Sequence, residues 1–375
     1  MQVVRHTTHI PEELRGAVVA LGNFDGVHRG HQAVIGQAAA LADEMGVPLG
    51  VIIFEPYPRE FFNPGAPPFR LTSFHSKARI FERLGVEILY VLAFDATMAA
   101  KTAPDFVYEV LVKGLGILHL VVGYDFAFGR GRSGDASVLR WMGLMEGFGL
   151  TIVEPVIRPA EGARKAEVFS STLIREHIAA GQMREAAEQL GHWWSVEGHV
   201  KRGDQRGRTL GFPTANIDIS QYIRPALGIY AVWIEILPPP GAGGANPIDG
   251  RSAPGAGGAN PTGGRSTGAR EAAPRAPVIY PGVAYFGRRP TFQQEEVLLE
   301  AFLFDFEGDL YGRQLRVSFI QQLREEVAFV SVEALKAQMT KDAALARHIL
   351  AEERSQLGTY ELGLDAIAGP QGKQA

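Results

Sequence analysis

AVVALGNFDGVHRGHQAVIGQAAALADEMG, residues 17–46, decides how the first half of the chain folds. It opens on a continuous apolar run, the pattern of a strand buried on both faces. It closes on GHQAVIGQAAALADEMG, an amphipathic helical pattern that stops at Gly46, a residue suited to a helix C-terminus. Between the two lies a turn that sets His28 and His31 three residues apart at the helix start, and so toward one face.

The same alternation continues outward. PLGVIIF, EILYVLAF, LHLVVGYDF and LTIVEPV are strand-like, and HSKARIFERLG, APDFVYEVLVKGLG and ASVLRWMGLMEGFG are helical. Apolar strands between amphipathic helices predict a parallel sheet covered on both faces, with ligands at the carboxyl ends of the strands. The histidine turn sits at such an end, and so does VGYDFAFGRGRSGD.

Near Gly191 the pattern changes. After two short helical runs come WSVEGHV, FPTANI, GIYAVWIEIL, VIYPGVAYFG, VLLEAFLFDF and QLRVSFIQQL, with no long helices between them. Successive strands with Gly-rich turns predict a small antiparallel barrel, and SVEALKAQMTKDAALARHILAEE a helix packed across it. Residues 238–277 are Pro-, Gly- and Ala-rich and repeat PGAGGANP; this composition predicts a disordered insertion between neighbouring strands. The expected division is therefore 1–190, 191–357 with that insertion, and a tail at 358–375.

The totals narrow the function. A length of 375 residues favours two domains, and 46% apolar with 21% charged residues is ordinary globular material. A net charge of −4 argues against a chain built to hold nucleic acid. Having no cysteine, it has no disulfide, thiolate metal site or cysteine nucleophile. No run approaches the roughly 20 apolar residues of a membrane span, and the N-terminus lacks a signal-peptide core. A cytoplasmic enzyme with small-molecule partners, no membrane and no nucleic acid is expected.

A helix N-terminus offers free amides and partial positive charge, which suits phosphate; two histidines there add donors for charge developing in phosphoryl chemistry. Asp25, His28 and His31 are also evenly spaced enough for a metal site, and simple capping is the blander alternative; the strand–turn–helix context favours phosphate. FSSTLIR, with Ser171, Thr172 and Arg175 at a second helix start, supplies hydroxyls and a guanidinium suited to clamping the outer phosphates of ATP. In the second half Thr214 and Asn216 stand two apart, so their oxygens share one side of an extended segment, as Mg²⁺ with substrate phosphates prefers. KRGDQRGRTLG, with Lys201, Arg202, Arg206 and Arg208, suits a phosphate-covering flap or a plain solvated loop. Glu300 shares a strand face with Leu298, Phe302, Phe304 and Phe306; on an outward face it would be only a solvated charge, but those aromatics predict an inward face, where desolvation makes a carboxylate a better base.

GNFDGVHRGHQ, VGYDFAFGRGR and SSTLIR together resemble the adenylyltransferase module of bacterial bifunctional riboflavin kinase/FAD synthetases. GRTLGFPTANI, YPGVAYFGRRPTF, LLEAFLFDF and LREEVAFVSVEALKAQMTKD resemble its riboflavin kinase module. The resemblance spans about residues 17–350 apart from the insertion. It implies a Rossmann-like α/β nucleotidyltransferase domain followed by an antiparallel β-barrel flavokinase domain with a C-terminal helix. It implies ATP and Mg²⁺, with riboflavin, FMN and FAD as substrates and products. Carried over by motif, His28 and His31 act on ATP phosphates, and Asn23, Asp25, Asp125, Ser171, Thr172 and Arg175 belong to the same nucleotide site. Gly211, Thr214 and Asn216 match the element that holds Mg-ATP, Thr214 and Asn216 as metal ligands, and Glu300 matches the base that activates the ribityl hydroxyl. Tyr285 and Phe286 stand where the family pattern has Asn-Ile, and Phe302 where it often has His; these departures bear on substrate affinity.

Overall fold

The computed structural model describes residues 1–160, 165–203, 211–238, 278–290 and 295–360. In the first half, strands β1 (Gln2–Val4), β2 (Val18–Leu21), β3 (Leu49–Glu55), β4 (Ile88–Ala93), β5 (His119–Gly123) and β6 (Gly149–Val153) form one sheet in the order β1-β4-β3-β2-β5-β6. Every pairing in it is parallel. Side chains alternate across it, as period-2 geometry requires. Val18, Ala20, Val51 and Ile53 face helices α1 (Arg29–Met45) and α3 (Phe74–Arg83). Val19, Leu21, Ile52 and Leu120 face the opposite layer. That layer holds a π-helical stretch, Phe106–Leu115, and α6 (Ala136–Glu146). Between these elements lie the short helices α2 (Pro58–Phe62), α4 (Ala96–Ala100) and α5 (Ala103–Asp105). A two-stranded hairpin, β7 (Ile157–Arg158) and β8 (Glu167–Val168), leads into α7 (Ser171–Ala179) and α8 (Met183–Leu190).

The second half is a closed barrel of β9 (Ser195–Lys201), β10 (Ala215–Ile217), β11 (Gly228–Ile236), β12 (Ile279–Pro290), β13 (Glu295–Leu303) and β14 (Gln314–Glu325), in the order β10-β13-β12-β11-β14-β9. All of its pairings are antiparallel. Helix α9 (Val332–Tyr360) packs outside it through Ala346, Ile349 and Leu350. The helix continues into the expected tail, whose residues 361–375 lie outside the described ones. The predicted insertion also lies outside them, apart from Pro238; the strands on either side of it, β11 and β12, pair directly. β1 was absent from the sequence reading, being only three residues long.

Helices α7 and α8 precede the barrel in sequence yet pack side chains into its apolar core. Ile174, Ile178, Met183, Ala186 and Leu190 join one apolar cluster with Trp194, Tyr230 and Phe319. Polar contacts reinforce that junction. Trp194 Nε1 donates to the Leu71 carbonyl at 3.0 Å, and the Ile223 amide to the Arg70 carbonyl at 2.9 Å. Buried Glu197 of β9 pairs with Arg316 of β14 at 3.0 Å and with Arg79 of α3. Trp194 is 1% exposed and lies 4.9 Å from the Phe319 ring. Trp194→Ala is expected to destabilise the protein by about 3–5 kcal/mol, read as a lower urea midpoint, because it opens a cavity and strands the Leu71 carbonyl.

Candidate active sites

The chain leaves β2 through a strained turn. Phe24, Gly26 and Val27 have φ of 49°, 85° and 43°. Glycine accepts such values freely, whereas a β-branched residue does so only under constraint. The constraint is Asp25, which is buried. Its carboxylate accepts from Tyr57 Oη at 3.1 Å, the Leu71 amide at 3.0 Å, the Thr72 amide at 3.2 Å and Arg175 Nη2 at 2.5 Å. Its own carbonyl accepts from Ser171 Oγ at 2.9 Å. Arg175 also donates to the Phe69 carbonyl at 2.8 Å. The turn, the 69–72 segment and the start of α7 are thus drawn to one carboxylate.

His28 caps α1, its Nδ1 accepting from the His31 amide at 3.4 Å. The two rings stack, with centroids 3.6 Å apart, and His31 meets the Phe24 ring edge-on. His28 is therefore the N-cap, the alternative that the sequence set against phosphate binding, and the same helix end also carries a pair of stacked imidazoles. Burial, then Arg175 and His192, push His28 down from 6.5 to about 3. Burial, then His28, Lys77 and Arg175, hold His31 well below its ordinary value. Among the described residues no three His, Asp or Glu side chains converge as a metal site.

The topology gives this turn its crevice. β2 lies between β3 and β5, and the chain proceeds from it in opposite directions across the sheet, the switch point at whose carboxyl ends sheets of this kind form their ligand crevice. Asn23 and Asp125 are exposed on either side of it, after β2 and β5. Ser170 caps α7, accepting from the Leu173 amide at 3.2 Å, and Thr172 is exposed on its first turn. Two features escaped the sequence reading. Lys77 of α3 is fully buried, donating to the Asn23 carbonyl at 3.3 Å and Tyr57 Oη at 2.9 Å and pairing with Glu55 at 3.6 Å. Its pKa is lowered by burial, against the opposing pull of Glu55 and Asp25. An aromatic group also gathers at the strand ends: Phe61, Phe62 and Phe54, near the end of β3, surround Phe94, and Phe126 stacks on Phe128. Helical spacing hides a buried lysine among ordinary polar positions, and scattered Phe residues look like core.

The second cluster lies on the barrel. Glu300 of β13 stands opposite Asn216 of β10 and Tyr285 of β12. Thr214 Oγ1 donates to Glu300 Oε2 at 3.1 Å. Gly203 approaches Asn216 so closely that a Cβ there would meet Asn216 Nδ2 at 2.3 Å. Tyr285 lies across Gly287 and donates to Glu326; burial and that bond raise its pKa. Gly211 stands apart, exposed, at φ 85°. Of the basic loop, Lys201 pairs with Asp218 at 2.7 Å and Arg202 lies over Tyr311, while Arg206 and Arg208 fall outside the described residues.

The inward face predicted for Glu300 is corrected. Leu299, Ala301 and Leu303 fill the barrel interior, so Glu300 points outward and is half-buried. The aromatics misled because this barrel is apolar on both sides here. Phe302 and Phe304 pack under α9, and Phe302 meets Phe212 at 5.3 Å.

Comparison with known proteins gives the family. Residues 10–171 match the FAD synthetase family and residues 190–350 the riboflavin kinase family. The bifunctional riboflavin kinase/FMN adenylyltransferase of Pseudomonas fluorescens is 38% identical over 94% of this chain and 98% of its own. The chain belongs to this bifunctional family. The Escherichia coli K12 relative of the same description is 35% identical over 92% of this chain and 95% of its own. That of Bacillus subtilis is 32% identical over 90% and 95%. A crystal structure described as a macrolide-efflux protein from Streptococcus pneumoniae superposes with a TM-score of 0.71 at 29% identity, covering 92% of this chain and 98% of its own. Among the described residues no helix is long and apolar enough to cross a membrane.

The buried histidines impose a pH dependence. His28 stays neutral in the folded state down to about pH 3, whereas unfolded histidine takes up its proton near 6.5. The unfolded chain thus binds the proton first. Stability from this group is complete above pH 6.5 and lost as pH falls toward 3, by about 1.4 kcal/mol per pH unit. His28→Asn, which keeps a capping side chain, is expected to flatten that slope in urea unfolding across the same range.

Proposed function

We propose that the two clusters carry two successive ATP-dependent reactions: phosphorylation of riboflavin to FMN on the barrel, and adenylyl transfer to FMN in the sheet crevice, giving FAD and pyrophosphate. The observation that supports this best is the presence on one chain of both family matches, each containing its own polar cluster. We divide the chain functionally at residue 190, with α7 supplying the first site and packing into the second module.

In adenylyl transfer an FMN phosphate oxygen attacks the α-phosphorus of ATP, and the bond to the leaving pyrophosphate breaks. Negative charge grows on the leaving group. We assign donation to that charge to the α1 N-terminus, His28 and His31; a bound phosphate favours protonated imidazole, opposing the burial that keeps the resting pair neutral. Arg175, Ser171 and Thr172 close the same site from α7, with Arg175 oriented by Asp25 and the Phe69 carbonyl. Asn23 and Asp125 flank the nucleotide. The aromatic group at the strand ends suits a flavin ring, since stacking needs flat, partly exposed faces.

In the kinase, Glu300 accepts the proton of the ribityl hydroxyl as that oxygen attacks the γ-phosphorus, and the bond from the γ-phosphorus to the bridging oxygen breaks to release ADP. A carboxylate can only accept, so the Thr214 hydroxyl donates its hydrogen bond to Glu300 and keeps its oxygen lone pairs for a cation. With the Asn216 carbonyl oxygen this is a hard, all-oxygen donor set, which fits Mg²⁺. Mg²⁺, when bound with ATP, neutralises charge on the outer phosphates. Gly211, three residues before Thr214, itself takes the left-handed conformation that glycine accepts freely. The ATP-consuming chemistry supports a cytoplasmic placement.

Separating riboflavin, FMN and FAD by chromatography after incubation with Mg-ATP tests both halves. His28→Ala should lower FAD formation about 100-fold while FMN formation persists. Glu300→Gln should lower FMN formation by about 100-fold or more while FAD is still made from supplied FMN. A chain that converts neither riboflavin nor FMN would refute the assignment. FAD formed only from supplied FMN would confine activity to the crevice, with Tyr285 and Phe302 the residues to revert.

A further inference from the structure

The strained turn before His28 is held from a second side, away from Asp25. Gln32 of α1, 6% exposed, donates through Nε2 to the Val27 carbonyl at 2.8 Å and to the Leu190 carbonyl at 2.9 Å. Leu190 ends α8. Next to this bridge, His192 Nε2 lies 3.1 Å from the Gly26 carbonyl, and Arg29 Nε donates to the Glu188 carbonyl at 2.9 Å. Gly191 lets α8 come this close, since a Cβ there would meet the Gln32 amide at 3.3 Å. The gripped carbonyls belong to Gly26 and Val27, the left-handed residues immediately before His28.

A β-branched residue at φ 43° relaxes toward ordinary backbone unless its peptide is pinned. Relaxation at Val27 would rotate the next residue, which is His28, and with it the cap and the stacked ring of His31. Gln32 points away from the crevice and into the α8 junction, so it touches no phosphate. We propose that Gln32 is a positioning residue for adenylyl transfer, and that residues 188–192 are the fixed edge against which it holds the histidine turn. The inference rests on the reading of His28 and His31 as the phosphate-binding pair.

The test uses the full-length chain and its two activities. Gln32→Glu keeps the shape but turns the only donor into an acceptor facing two carbonyl oxygens; Gln32→Met keeps the length and removes all hydrogen bonding without adding charge. Both variants are expected to lower kcat for FAD formation about 100-fold while KM for ATP and FMN moves less than about threefold, as for a misaligned rather than vacant site. Riboflavin phosphorylation by the same preparations should stay at the wild-type rate, which reports that the chain has folded. An unchanged kcat in either variant would overturn the proposal, as would a loss seen only in KM. An equal fall in both activities would also overturn it, making Gln32 a general stability residue. A wild-type chain that makes no FAD would instead overturn the functional reading on which the proposal stands.

Discussion

The first module depends on one buried carboxylate. A charge removed from water is tolerated only if its oxygens are met by donors. Asp25 meets that demand with Tyr57, the Leu71 and Thr72 amides and Arg175, groups far apart in sequence. Satisfying Asp25 therefore brings the β2–α1 turn, the segment before α3 and the start of α7 to one point. The left-handed residues around it are a consequence, because the turn must aim the Asp25 carboxylate at Leu71, Thr72 and Arg175 and the buried His28 ring back over the start of α1 within a few residues. Charges of alternating sign extend the arrangement. Arg70 bridges Glu55 and Glu60, and Glu55 in turn faces buried Lys77. Lys77 then returns to the turn through the Asn23 carbonyl.

The second module solves a different problem. A small closed barrel has room inside for side chains only, so its polar cluster stands on the outer surface. Outside, α9 and Phe212 cover Phe302 and Phe304, leaving Glu300 half-buried at the margin of an apolar layer. The Thr214 hydroxyl orients one Glu300 oxygen, and Arg324, bound to Asp342 at 2.8 Å, ties α9 to β14 nearby. The edge is thus firm although it is exposed.

The order of elements was legible because it follows from hydrophobic period. β2 and α1, for instance, fall within the stretch first quoted, and the change to an antiparallel barrel near Gly191 matches β9 at Ser195. Clusters joined by local spacing were legible too: His28 with His31, and Thr214 with Asn216. What sequence could not supply was any relation set by tertiary packing. A strand with apolar residues on both sides does not say which side is the interior, and Glu300 was misplaced for that reason. Nothing in the helical patterns that contain Lys77 and Gln32 singles these residues out, yet each is buried with carbonyl partners from another element. Asp25 was recognised as part of the turn, but its donors at Leu71, Thr72 and Arg175 share no spacing with it that a reader could detect.

The boundary between the modules is continuous packing and not a tether. α8 sends Met183, Ala186 and Leu190 into the barrel cluster and Ala187 toward α9. Its last carbonyls, at Glu188 and Leu190, receive Arg29 and Gln32 from α1. One short helix is therefore both a wall of the barrel core and a support for the histidine turn. Packed interiors respond to displacement as rigid bodies, not as fluids. A shift of α8 relative to the barrel would have to break either apolar contacts on one side or buried carbonyl pairing on the other, and both are costly. The arrangement fixes the geometry of the adenylyl-transfer site by reference to the kinase module, even though no side chain of the barrel strands needs to enter the crevice.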